Sequence, residues 1–377
     1  MNLKQYIDAY QLHSGRKENS HLGSCFDFFN ENFDDDLLSF DVFIIGVPEG
    51  RLSIGNESCA LAPDEIRSSL YNLYEGEWGL KILDLGNLRV GQTVEDTYAI
   101  LEQLTVYLLE LGKVLLVLGG GHDLITPIYR GHCTFGKPLN LASADAYLDF
   151  QDGENYHSRS FLSHLLASQE SMLSTYNLFG YQGYFCDPKE VHLLDQMNFN
   201  LLRLGEVNSD LNEMEPYIRS IDHLTIDMSV VKSSEAPANS YSSPNGMTAQ
   251  GLCMMLRYAG LSNSVKSILF SELNPQLDKN SQSAKVYAQA IWYFLEGLHL
   301  RQDDLLTEKL NNFKKFHVHS ELSQLVFYKS MVNDKWWVDF SNEEGSNPNL
   351  LPCSSLDYKK AVEGELSSRM LKYIRFK

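Results

Sequence analysis

Residues 114–123 read VLLVLGGGHD, a run of five apolar residues followed by three glycines, a histidine and an aspartate. Such a run is typical of a strand that is buried on both faces of a parallel sheet. The glycines allow a sharp turn after the strand, which aims His122 back over the sheet. A second apolar run, residues 139–144, leads in the same way into Asp145-Ala146-Tyr147-Leu148-Asp149. Ligands bind outside the carboxyl ends of strands in open α/β sheets, so the two loops predict a shared ligand site.

A third predicted strand brings another carboxylate to the same edge of the sheet. Residues 223–229, HLTIDMS, alternate like a strand and carry Asp227 near their end. An imidazole together with several carboxylates is a typical composition for a metal site. For any one of these loops alone, the alternative is a glycine turn with a hydrogen-bonded histidine.

The chain around these loops alternates predicted strands with predicted helices. Residues 41–47, 81–85 and 201–207 are expected to be strands, whereas helices are expected from Ala62 and over residues 97–111. Repeated strand, helix and strand units form parallel sheets with right-handed crossovers. The sequence therefore predicts an α/β fold.

The order and spacing of four motifs resemble the ureohydrolase family, which comprises arginases, agmatinases and formiminoglutamases. The motifs are Gly119-Gly120-Gly121-His122, Asp145-Ala146-x-x-Asp149, Thr225-x-Asp227 ahead of Ala236-Pro237, and Ser271-Glu272-Leu273-Asn274-Pro275. Residues 180–185 and the long N-terminal extension are most similar to the formiminoglutamase-like branch. The resemblance implies a three-layer arginase-like fold, with a mainly parallel sheet and helices on both faces.

The resemblance also implies two manganese ions bridged by a hydroxide that attacks an amidine or guanidinium carbon. The residues that match ligands of the first ion are His122, Asp145, Asp149 and Asp227. Ligands of the second ion are lost, because Tyr147 stands where the family has a histidine and Ser229 where it has an aspartate. Lys232 stands where the family has a further acid, and its charge opposes a second cation. We therefore predict at most one manganese ion and impaired hydrolysis.

Four further residues complete the predicted site. By resemblance, Glu272 is catalytic and faces the cationic group of the substrate. We expect its carboxylate to be unpartnered, in a polar, solvent-filled pocket, because burying a lone carboxylate is costly. His157 is a candidate proton shuttle, because an imidazole titrates near neutrality. Arg159 is a candidate for holding a substrate carboxylate with its planar fork. Lys232 is assigned to the same substrate-binding side, or it neutralises the acidic pocket in place of a metal. For His157 and Arg159 the alternative is a surface side chain without a role.

Composition restricts the partners and divides the chain. A net charge of −18 argues against a nucleic-acid partner, and no stretch reaches the roughly 18 apolar residues of a membrane span. The six cysteines show no metal-site spacing, so we expect reduced thiols in a cytoplasmic protein, and a homo-oligomer is compatible with the sequence. We predict an arm at residues 1–40, one α/β domain at 41–300, and an extension at 301–377 that packs on the core.

Three functions are compatible with these observations. The first is a metal-dependent hydrolase that cleaves a C–N bond of a small amidine or guanidino compound, such as formiminoglutamate. The second is a non-catalytic descendant of the family that serves binding or assembly. The third is a nucleotide-binding protein that uses Gly119-Gly120-Gly121 as a phosphate loop, although the Walker lysine is absent.

Overall fold

The computed structural model describes residues 2–10, 20–30, 33, 36–151, 155–168, 171–302, 312–319, 324–341 and 349–375. Within these residues, ten strands form one large sheet. Eight of them run parallel to one another, in the order β4-β3-β5-β10-β9-β6-β7-β8. The strands are β1 (Ile7–Asp8), β2 (Asp27–Phe28), β3 (Val42–Val47), β4 (Ile82–Leu88), β5 (Val114–Gly119), β6 (Leu139–Ala144), β7 (Leu173–Tyr181), β8 (Asn200–Arg203), β9 (His223–Asp227) and β10 (Ser267–Ser271). At one edge, β1 pairs antiparallel with β4 and β2 pairs parallel with it.

Helices cover both faces of this sheet. They are α1 (Leu22–Cys25), α2 (Ala62–Leu70), α3 (Val94–Glu110), α4 (Ile125–Cys133), α5 (Phe161–Ala167), α6 (Pro188–Gln196), α7 (Leu204–Ser209), α8 (Glu215–Ile218), α9 (Ala249–Leu261) and α10 (Gln282–His299). No helix in the described part of the chain is long and apolar enough to cross a membrane.

Side-chain alternation along the central strands divides the core into two layers. Leu116 and Leu118 of β5 pack with α2, α9 and α10 on one face. Leu115 and Val117 pack on the other face with α3, α4 and α5. Every residue of β5 is buried, as expected for a strand with helices on both sides. The predicted three-layer α/β fold is confirmed.

The C-terminal residues form a second, antiparallel sheet with its own small core. Its strands are β11 (Phe313–His319), β12 (Gln324–Ser330), β13 (Trp336–Asp339) and β14 (Leu350–Cys353), followed by α11 (Ser355–Val362) and α12 (Ser368–Arg375). Hydrogen bonds connect it to segments next to the large sheet. Arg219, at the end of α8, donates to the carbonyl of Trp336 at 2.6 Å, and Lys372 donates to the carbonyl of Phe199, just before β8, at 2.6 Å. The division at residues 40 and 300 stays a prediction.

Some predicted boundaries shift for reasons that are local. Helix α3 begins at Val94 rather than at residue 97, because Thr93 and Asp96 form a capping box. Residues 201–207 were expected to be one strand, and this is wrong beyond Arg203. There the backbone N–H of Arg203 donates to Glu206 at 2.7 Å, and α7 begins.

Candidate metal centre

The glycine loop after β5 is pressed against the end of β3. The N–H of Gly120 donates to the carbonyl of Val47 at 3.0 Å, and that of Gly121 donates to the carbonyl of Glu49 at 2.9 Å. A Cβ atom on Gly120 would lie 1.8 Å from the carbonyl oxygen of Glu49, so no larger residue fits there. This close approach fixes the position of His122, which opens a short 3-10 helix at the end of the loop.

Three strand ends bring the four predicted ligands together. One possible ligand atom from each of His122, Asp145, Asp149 and Asp227 lies within 4.8 Å of the others. The Nδ1 atom of His122 is 2.7 Å from Asp149 Oδ2, 3.4 Å from Asp145 Oδ2 and 3.7 Å from Asp227 Oδ2. The four residues are between 0% and 8% exposed, so this is an enclosed acidic cluster.

The pKa values of the cluster are shifted because its carboxylates are buried and repel one another. Burial, followed by repulsion from Asp149, raises the pKa of Asp145 to about 6. Burial and then Asp145 raise the pKa of Asp227 well above its ordinary value. Burial alone would lower the pKa of His122, but its contacts with Asp145 and Asp149 raise it well above the usual range. A buried cluster of this kind needs a cation, or else it must take up protons.

The donor set fits one divalent cation. Asp145 Oδ2 is buried and has no hydrogen-bond partner among the described residues, although it lies beside the His122 ring. Carboxylate oxygens with one imidazole nitrogen suit Mn²⁺ and similar ions. These residues could therefore hold a single ion at the point where their Oδ2 and Nδ1 atoms converge.

Asp145 and Asp227 each have a second carboxylate oxygen, Oδ1, which accepts hydrogen bonds from neighbouring groups. Asp145 Oδ1 accepts from the N–H of Tyr147 at 2.9 Å and from the hydroxyl of Ser229 at 3.0 Å. Asp227 Oδ1 accepts from the N–H of Ser229 at 2.7 Å and from the amide of Asn239 at 3.3 Å. By resemblance these two carboxylates bridge a pair of ions, so their second oxygens are the atoms that a second ion would need. In this structure each of those oxygens is taken up by two hydrogen-bond donors instead.

Aromatic rings and a guanidinium lie beside these oxygens. The ring of Tyr147 stacks on Phe185 with centroids 4.9 Å apart and an interplanar angle of 17°. The Cζ atom of Arg159 is 4.1 Å from the centroid of Tyr147 and 4.6 Å from that of Tyr241. Burial lowers the pKa of Arg159, but attraction from Asp149 and neighbouring groups gives a net increase. Arg159 is thus a half-buried cation held between two tyrosine faces.

Glu272 supports the loop of His122. Its Oε1 atom accepts the N–H of His122 at 2.9 Å. Its Oε2 atom accepts from Ser53 Oγ at 2.5 Å and from Asn56 Nδ2 at 2.7 Å. The sequence predicted an unpartnered carboxylate in a solvent-filled pocket, and this is wrong, because Glu272 is only 4% exposed and both oxygens have donors. Its φ is 60° and that of Asp149 is 49°, so the backbone is strained at both of these site residues.

The remaining predicted residues lie around the cluster. Lys232 forms an ion pair with Glu235 at 2.7 Å, so its charge is compensated there rather than in the acidic cluster. The Nδ1 atom of His157 accepts the N–H of Arg159 at 3.2 Å, and burial, followed by Arg159, lowers the pKa of His157. A lowered pKa keeps this imidazole neutral near pH 7. The shuttle role of His157 and the substrate-binding role of Lys232 stay predictions.

Comparison with known proteins identifies the family. Residues 40–296 match the sequence profile of the arginase family. The chain belongs to the arginase family. Formimidoylglutamase from Legionella pneumophila is 24% identical over 259 residues, which cover 65% of this chain and 81% of that protein. Formimidoylglutamase from Hahella chejuensis is 25% identical over 258 residues, covering 62% and 78%.

Solved arginase-family structures share the fold. Formiminoglutamase from Trypanosoma cruzi, solved with Mn²⁺, superposes with a TM-score of 0.67 and 23% identity, covering 75% of this chain and 99% of that one. Formimidoylglutamase from Bacillus subtilis superposes with a TM-score of 0.68 and 19% identity, covering 78% and 97%. The ureohydrolase resemblance and the arginase-like fold are therefore confirmed.

Several residues of this arginase-family site carried no signal in the sequence. Ser53 and Asn56 follow β3 and hold Glu272, although no motif marks them. Asn239 and Tyr241 lie in a loop whose sequence lacks periodicity, so the pattern singled out neither residue. Asp123, whose pKa burial raises to about 7, accepts a hydrogen bond from Tyr98 at 2.5 Å. These contacts join segments that are distant in sequence, so spacing could not predict them.

Proposed function

We propose that this protein is a formiminoglutamase-like member of the arginase family that holds one divalent cation, preferably Mn²⁺, and has lost most amidine hydrolysis. His122, Asp145, Asp149 and Asp227 would hold the ion. Its function is then to bind a small molecule at this site rather than to turn it over. The hydrogen bonds of Ser229 to both shared carboxylates support this proposal most directly, because they occupy the side on which a second ion would bind.

The residues around the cluster have positioning roles in this proposal. Glu272 holds the N–H of His122, and Ser229 and Asn239 fix the orientation of Asp145 and Asp227. A bound divalent cation would polarise a ligand oxygen and lower the pKa of a bound water. Without a second ion, that acidification is weaker.

A second candidate function is slow hydrolysis of a formiminoglutamate-like amidine. The supporting observation is the position of His157, a half-buried imidazole whose Nδ1 atom accepts the N–H of Arg159, since an imidazole is the commonest proton carrier in enzymes. The formimidoylglutamases among the relatives agree with this substrate class.

Metal content and turnover distinguish these proposals. After dialysis against excess Mn²⁺, we expect one ion per chain by mass spectrometry, and turnover of formiminoglutamate, agmatine and arginine below about 0.1 per second, against an ordinary rate of about 10 per second. Asp149→Asn should abolish ion binding, whereas Asp334→Asn, at a position with 83% of its side chain exposed, should not change it. Two ions per chain, or an ordinary rate, would contradict the first proposal.

A further inference from the structure

We propose that Arg159 is a built-in cation that takes the place of the family's second metal ion and excludes both that ion and cationic amidines. The inference rests on the proposed single-metal function. Arg159 was predicted from the sequence only as a ligand for a substrate carboxylate. Its position in the structure gives it a role toward the acidic cluster itself.

The guanidinium occupies a slot with two rigid aromatic walls. The centroids of Tyr147 and Tyr241 are 4.1 Å and 4.6 Å from its Cζ atom. The ring of Tyr147 is held by its stacking on Phe185, and its backbone N–H is bound to Asp145 Oδ1. The ring of Tyr241 is held by its hydroxyl, which donates to the carbonyl of Ile54 at 2.6 Å, while its backbone N–H donates to Asn239 Oδ1 at 2.7 Å.

Both walls of the slot are connected to the side of the cluster that lacks ion ligands. Tyr147 stands at the position of the lost histidine, and its N–H contacts Asp145 Oδ1. Asn239 connects the other wall to the cluster, because its side chain donates to Asp227 Oδ1 at 3.3 Å. Both walls are therefore tied to the oxygens that a second ion would need.

The guanidinium has no hydrogen bond or ion pair with any residue that the structure describes. Its backbone makes such bonds, since the N–H donates to His157 Nδ1 at 3.2 Å and the carbonyl accepts from Gln151 at 3.3 Å. Tyrosine faces hold the cation while its N–H edges stay unused. A half-buried cation with no paired carboxylate is unusual, and the nearby acidic cluster provides its compensating charge.

Charge balance explains the replacement. The cluster has three carboxylates, and one divalent ion together with one guanidinium balances them. A second divalent ion would add unbalanced charge beside Arg159 in a poorly solvated site, where repulsion is strong. Lys232 cannot take this role, because its charge is paired with Glu235. An amidinium or guanidinium substrate would meet the same repulsion.

The first test measures Mn²⁺ stoichiometry in four folded proteins: the wild type, Arg159→Gln, Tyr147→His with Ser229→Asp, and the triple variant. We expect one ion in the first three and two in the triple variant, because the restored ligands are effective only without the guanidinium. Equal melting temperatures would establish that each variant is folded. Two ions in the Tyr147→His, Ser229→Asp protein, or one in a folded triple variant, would overturn the inference alone. Two ions in the wild type would overturn the proposed function as well.

The second test fills the slot from solution and does not depend on a second ion. Mn²⁺-loaded Arg159→Ala should bind millimolar guanidinium, with a saturable rise in Tm of about 2 °C at tenfold saturation. Urea has the same shape without the charge and should give no rise. Arg130→Ala is the matched control, because Arg130 is 48% exposed and pairs with Glu95. Equal responses to guanidinium and urea, or an equal rise in Arg130→Ala, would overturn the inference.

Discussion

Glu272→Gln separates a supporting role for this residue from the substrate-binding role that the family resemblance implies. The carboxylate accepts three hydrogen bonds from groups that only donate or are oriented to donate: His122 N–H, Asn56 Nδ2 and Ser53 Oγ. A glutamine has one acceptor oxygen, so its amide NH₂ must face His122 N–H or the other two donors. The residue keeps the same shape and the same backbone strain, so the change isolates the hydrogen bonds.

The expected loss can be worked from these contacts. Hydrogen bonds to a charged group contribute about 1.5–3 kcal/mol each, against about 0.5–1.5 kcal/mol for neutral ones. One such replacement, with a neighbouring donor left unpaired, should lower the free energy of unfolding by about 2–3 kcal/mol. Because the His122 loop shifts, Mn²⁺ affinity should fall by roughly 10-fold or more, as for groups that orient metal ligands.

Urea unfolding and calorimetric Mn²⁺ titration measure these two effects. Gln276→Glu, at an exposed position in the short 3-10 helix after Glu272, controls for nonspecific effects of charge. If Glu272 acts only on substrate, Glu272→Gln will leave both the unfolding free energy and the Mn²⁺ affinity unchanged. That result would refute the supporting role.

Three further changes test other contacts. Ser229→Ala removes the hydroxyl bond to Asp145 Oδ1 and should cost about 1 kcal/mol by urea unfolding, while calorimetry still finds one Mn²⁺. Gly120→Ala places a Cβ 1.8 Å from the Glu49 carbonyl, so Mn²⁺ binding should be lost and the unfolding free energy should fall by more than about 2 kcal/mol. Burial lowers the pKa of His132 to about 4, so the unfolded state takes up a proton first as pH falls from 6.5 toward 4. The buried carboxyls with raised pKa values, Asp123 and Asp145, act in the opposite direction, so the test compares two proteins. Between pH 7 and pH 4.5, urea unfolding should show a stability change that is less favourable by roughly 2–3 kcal/mol in the wild type than in His132→Asn.

The cluster of possible ligands could be predicted because strand ends follow simple rules. Buried parallel strands show as apolar runs, and their carboxyl ends meet at one edge of the sheet. His122, Asp145 and Asp227 each follow or end such a run, so their proximity required no knowledge of loop structure. Strand β7 (Leu173–Tyr181) was not predicted, because its exposed start and polar residues give no clear period.

The surroundings of the cluster could not be predicted, because loops join them across long stretches of chain. The sequence suggested Lys232 as the compensating cation, whereas the structure pairs Lys232 with Glu235 and places Arg159 between Tyr147 and Tyr241. Neither tyrosine face is encoded by spacing, since it depends on how two loops meet over the sheet. Sequence patterns indicate which residue types are near the site, but not which charges are paired.

An anomalous difference map from crystals grown with excess Mn²⁺ tests the central claim most directly, because it locates each ion without reference to activity. The account predicts one peak, at about 2.0–2.3 Å from His122 Nδ1 and from carboxylate oxygens of the cluster. The guanidinium of Arg159 should remain between Tyr147 and Tyr241. Two peaks about 3.5–4 Å apart, with the second bound to the Oδ1 atoms of Asp145 and Asp227, would contradict the account.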